Sequence, residues 1–149
     1  METIHIFHTN DVHSHLQYWP RMQGFLEAQR TFLAQLGEAS FLFDIGDFID
    51  RSNLYTEATL GKGNVSLLNE AQYDVVTIGN NEGIGLAKNW SNHVYQDADF
   101  KVILGNLEDE NGRPDWAEPY QIYETKAGTR IAFLAYTFPY YLTYKPGGW

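Results

Sequence analysis

A chain of 149 residues with 44% hydrophobic and 19% charged side chains is the size of one domain with a real core, which excludes disorder as its global state. A formal net charge of −9 excludes a surface built to grip a nucleic-acid backbone, because that binding relies on Lys and Arg displacing counterions; phosphate handling here would need metal cations. The absence of cysteine excludes disulfides and thiolate zinc sites, and the start METIHIF offers neither a signal-peptide pattern nor a membrane span, so a cytoplasmic protein is expected.

Thr3 to Thr9 alternates as a strand requires, with Ile4, Ile6 and His8 on one side and His5, Phe7 and Thr9 on the other. Pro20 opens a helical run in which Phe25, Leu26, Phe32, Leu33 and Leu36 recur at helical spacing, and Gly37 stops it. Ala39 to Ile45 is a second apolar strand. The Thr- and Gly-containing stretch from Leu54 to Asn64 reads as loop, with Asn64 capping a short helix through Glu70. Tyr73 to Ile78 reads as a third strand, Leu86 to Val94 as a weaker helix and Phe100 to Leu104 as a fourth strand. Leu107 to Glu118 is polar and turn-rich, with no regular structure expected. Tyr120 to Thr125 and Arg130 to Phe138 flank Lys126-Ala127-Gly128-Thr129 as a hairpin. This order predicts an α/β fold: a largely parallel sheet extended by an antiparallel hairpin. The aromatic end, Tyr140 to Trp149, either packs back on the sheet or marks a surface that something else covers.

Three strand ends carry candidate metal ligands. Asp11 and His13 follow the first strand, Asp47 the second and Asn80 the third. In open α/β sheets, ligands sit outside the carboxyl ends of the strands, so these residues belong to one rim. Each also has a plainer reading. Asp11 or Asp47 alone would be a turn or cap residue, and Asn80 in Gly-Asn-Asn a turn residue that tolerates left-handed backbone. His8 is expected to be buried, His5 and His93 to lie on the surface, and His15 to stand beside the site. Asp44 reads as structural; Asp50 either orients a ligand or begins a turn. Asn106 reads as a turn residue and Glu108-Asp109-Glu110 as a solvated loop.

The ordered blocks HTNDVHSH, DIGDFIDRSN and TIGNNEG resemble the 5′-nucleotidase branch of the calcineurin-like metallophosphoesterases, with its D-x-H, G-D-x-x-D/N and G-N-H-E/D blocks. The resemblance implies an α/β/β/α sandwich, of which residues 1–149 would be the N-terminal half, truncated. It also implies two divalent cations (manganese, zinc or iron). Asp11 and His13 would hold the first, Asp47 would bridge both, and Asn80 would hold the second through its amide oxygen. The implied substrate is a small phosphoester or nucleotide, with no nucleic-acid or membrane partner. Two departures stand out. Asn81 occupies the position of the family's catalytic histidine, and Ile84 that of its acidic partner, so both members of the acid pair are replaced. The family's three later histidines have no counterpart after His93. The chain is therefore expected to need the missing C-terminal half, to be inactive or weak alone, and to associate with itself. A metal- or nucleotide-binding protein without turnover is the competing expectation. Ser14, where the family usually has glycine, reads as a minor change.

Overall fold

The computed structural model describes residues 1–83, 88–108 and 112–138. Five parallel strands lie side by side in sequence order: β1 (Ile4–Thr9), β2 (Ala39–Asp44), β3 (Val75–Val76), β4 (Lys101–Ile103) and β5 (Ala117–Glu118). Between them run α1 (Trp19–Leu36), α2 (Leu54–Ala58), α3 (Lys62–Glu70), α4 (Asn80–Gly83) and α5 (Lys88–Val94). The antiparallel pair β6 (Gln121–Glu124) and β7 (Arg130–Phe133) follows. This is the parallel sheet plus hairpin that the sequence predicts.

Helix α1 begins with Pro20 in its first turn, where a missing N–H costs nothing, and stops at Gly37 in the left-handed conformation (φ 74°), whose N–H closes on Ala34 O. It buries Trp19, Leu26 and Leu33, the first two in the core with Leu42 of the sheet. Trp19 meets Phe48 edge-on at 5.2 Å and stacks on Tyr73 at 6.3 Å. Val65 and Leu68 of α3, with Val94, Val76 and Val102, complete this core. On the opposite face the hairpin brings Phe133 within 5.5 Å of Phe41 and 4.5 Å of Phe43, and Tyr123 within 5.4 Å of Phe41.

Four expectations are corrected. The stretch after Asn53 is helix rather than loop, because Asn53 Oδ1 accepts the N–H groups of Tyr55 (2.9 Å) and Thr56 (3.3 Å) and so caps α2. Asn64 caps nothing; α3 starts behind Gly61 (φ 79°) and Asn64 is wholly buried within it. Ala117–Glu118 forms β5 beside β4 despite the polar residues that precede it. His8 is exposed rather than buried, as is Ile6, because among the described residues the hairpin's aromatic contacts go to β2 and not to this face of the edge strand β1. The aromatic end from residue 140, position 84 and the turn at 109–111 lie outside the described residues.

Candidate metal centre

The rim at the carboxyl ends of β1, β2 and β3 is built by two loops that continue the parallel pairing past the strands. Asp11 N–H donates to Gly46 O (3.0 Å), His13 N–H to Asp47 O (2.9 Å) and Ser14 N–H to Phe48 O (2.9 Å). Six described non-glycine residues have positive φ, and four of them are Asp11, His13, Ser14 and Asp47. Such backbone costs free energy and persists where surrounding structure imposes it, often at functional sites. Glycines make the close approach feasible. A Cβ on Gly46 would stand 2.6 Å from Gly79 N, and one on Gly79 2.3 Å from Asp47 Oδ1.

This backbone gathers Asp11, His13 and Asp47 so that one ligand atom from each lies within 4.8 Å of the others. His13 Nε2 is 3.6 Å from Asp11 Oδ1, while its Nδ1 sits between Asn81 Nδ2 (2.9 Å) and the Asp50 carboxylate (3.4 Å). One nitrogen is thus held from behind and the other turned to the acidic group, the usual disposition of a ligating imidazole. Asn80 donates through Nδ2 to Asn81 Oδ1 (3.2 Å). Its own oxygen faces Asp47 Oδ2 at 3.0 Å, acceptor against acceptor. Turning the amide over makes this contact a hydrogen bond from Asn80 to the Asp47 carboxylate, the orientation that satisfies both groups. Carboxylate and imidazole donors fit a divalent cation.

Behind these candidate ligands stand two buried carboxyls. Burial pushes Glu82 up to about 7, and its oxygens accept the N–H groups of Ile49 (2.8 Å), Gly79 (3.0 Å) and Asp47 (3.1 Å). It ties the Asp47 loop to the turn that carries Asn80. Burial likewise raises Asp44 to about 7, against the lowering effect of the Thr9 hydroxyl (2.6 Å) and the Gly46 N–H (3.0 Å). The N–H and hydroxyl of Ser52 hold Asp50 below the usual carboxylate range, with His13 adding to the effect. Beside the centre opens a cleft of about 540 Å³ lined by Asp50, Arg51, Ser52, Glu57 and Asn81.

Residues 4–144 match the calcineurin-like phosphoesterase family. The chain belongs to that family. The metallophosphoesterase YunD of Bacillus subtilis, itself uncharacterized, is 48% identical over 99% of this chain, which spans about a third (32%) of its length. Among solved structures, the NAD nucleotidase of Haemophilus influenzae matches 89% of this chain with a TM-score of 0.76 at 20% identity, over 26% of its own length. The sulfate thiohydrolase SoxB of Thermus thermophilus matches 99% with a TM-score of 0.79 at 12% identity, over 38% of its length. At such identities the likeness is one of fold.

For this calcineurin-like phosphoesterase chain, then, the fold brings Asp11, His13, Asp47 and Asn80 to one rim and sets Asn81 against His13. His15 is exposed, with its N–H closing a turn on Val12 O, and His5 pairs with Glu38 at 2.6 Å at the far end of β1. Asp50 reaches His13 Nδ1 (3.4 Å) and opens the turn at Ser52. Asn106 does more than turn the chain, since its amide pairs with both backbone groups of Thr137 (2.7 and 3.0 Å). The sequence reading passed over Glu82, although the acidic last position of the third block was a signal for it. Ser14 reads from the sequence only as a minor change and Asn53 gives no signal there, because a serine in a loop and an asparagine before Leu-Tyr-Thr-Glu are common.

Proposed function

We propose that the full-length protein is a metal-dependent hydrolase of small phosphate esters or nucleotides, with residues 1–149 forming the first part of its catalytic domain. The observation that supports this best is the convergence of Asp11, His13 and Asp47 on one point. When bound, a pair of divalent cations would supply Lewis acidity and lower the pKa of a water. Asp11 and His13 would hold the first, Asp47 would lie between the two and Asn80 would hold the second. Manganese, zinc and iron all suit these donors. Asn81 projects beside the cleft and would donate a hydrogen bond to a phosphoryl oxygen, orienting the ester without giving it a proton. The NAD nucleotidase among the structural neighbours is compatible with a nucleotide substrate.

The experiment is a manganese titration of the full-length protein followed by an aryl phosphate assay, with Asp47→Asn alongside. Asparagine tolerates the positive φ at position 47 (56°), so the variant isolates the charge. The expected result is metal-dependent hydrolysis, lost together with tight manganese binding in the variant. Equal binding by both proteins would remove Asp47 from the site, and binding without turnover would favour a metal-binding protein.

A further inference from the structure

We propose that Ser14 is a positioning residue of the metal centre, its buried hydroxyl being the anchor that fixes Asp50 behind His13. The proposal rests on the metal-centre reading above. Ser14 is 1% exposed, next in sequence to a proposed ligand, and has a φ of 51°, which glycine takes without strain and serine does not. Backbone alone would therefore choose glycine here. The side chain explains the serine. Three donors converge on Ser14 Oγ: the N–H of Asp50 (2.8 Å), the hydroxyl of Thr56 (2.8 Å) and the amide of Asn64 (3.0 Å). The same hydroxyl lies 3.5 Å from Phe48 O, and Ser14 O accepts from Asn53 Nδ2 at 2.9 Å.

These partners come from three places: the loop after β2, the capped start of α2 and the interior of α3. Asn64 is itself wholly buried, and its Oδ1 has no hydrogen-bond partner, so its amide is placed for what Nδ2 reaches. Asp50, whose N–H the hydroxyl holds, extends its carboxylate to His13 Nδ1. The chain of contacts runs from α3 and α2 through Ser14 to Asp50 and on to the imidazole. A glycine at position 14 would leave three donors without an acceptor in a dry site, and Asp50 free to shift away from His13.

The test is calorimetric titration of manganese into the full-length protein and its Ser14→Gly, Asp50→Ala and doubly substituted forms, well below their melting temperatures. Partners of metal ligands typically contribute about 10–100-fold in affinity, so Ser14→Gly should bind manganese roughly tenfold or more weakly, with an altered manganese EPR signal. In the Asp50→Ala background the same substitution should cost little, because the route through Asp50 is already cut. Wild-type binding with an unchanged Ser14→Gly variant would overturn this proposal alone, as would a loss that persists undiminished in the Asp50→Ala background. No binding by wild type would overturn the metal reading and this with it. Should Ser14→Gly fail to fold, Thr56→Val should weaken binding while Thr56→Ser retains it; equal affinities for those two would count against the anchor.

Discussion

Asn81 is the residue on which the proposed chemistry turns. Its N–H donates to Asp47 Oδ1 (2.7 Å) and its side chain lies against His13, so it is placed within reach of the reaction but has no proton to give near neutral pH. General acid assistance is typically worth about 10²–10⁴ in rate and matters most for poor leaving groups. On the proposed function, the full-length protein should therefore depend steeply on leaving-group pKa, hydrolysing aryl phosphates or anhydrides far better than nucleoside monophosphates. Asn81→His with Ile84→Asp should flatten that dependence, speeding alkyl esters and changing aryl esters little. A series of esters of graded leaving-group pKa under saturating manganese reads this directly; equal wild-type rates on a nucleoside monophosphate and an aryl phosphate would mean another group supplies the proton. The residue types at this position were readable from the sequence. That Asn81 contacts His13, 68 positions away, was not, because nothing local in the chain encodes that pairing.

At the scale of elements, the end of β2 carries a testable charge. Asp44 closes the strand with a pKa raised by burial from 3.8 to about 7. The folded state therefore holds this proton more tightly than the unfolded chain does. Its contribution to stability is complete below about pH 4 and is lost as the pH rises through 7, a change on the order of 4 kcal/mol at most. Melting temperatures of the metal-free protein should fall from pH 4 to pH 8, and Asp44→Asn should flatten part of that fall. Glu82, raised in the same window, accounts for a share that remains in the variant. An unchanged slope in Asp44→Asn would mean that Asp44 ionises in the folded protein as it does in water. Strand and helix boundaries were legible where periodicity was long, as in α1. They were missed where a single side chain decides, as with Asn53 and α2.

For the molecule as a whole, the uncovered surface is the informative feature. Ile6, Ile45, Leu134 and Tyr136 are each more than half exposed (53–68%). On the outer side of α1, Phe25, Phe32 and Leu36 are exposed at 55–57%. This many large apolar side chains left in water favours association over a free monomer. Residues 1–149 expressed alone should associate, with scattering mass rising with concentration. A monomer stable across a wide concentration range would show that these side chains tolerate water without a partner. Among the described residues no helix is long and apolar enough to cross a membrane.

What the sequence by itself determined was the parallel α/β plan and the identity of the residues at three strand ends, because alternation, helical spacing and ordered motif blocks are properties of short stretches of chain. Tertiary structure alone decided how those residues meet. The left-handed backbone at Asp11, His13, Ser14 and Asp47, the Gly46–Gly79 approach and the burial of Glu82 and Ser14 beneath the candidate ligands all require two or three loops to be packed together at once. Which polar side chains end up dry and shared between loops depends on contacts 30 to 50 positions apart, which no local pattern records.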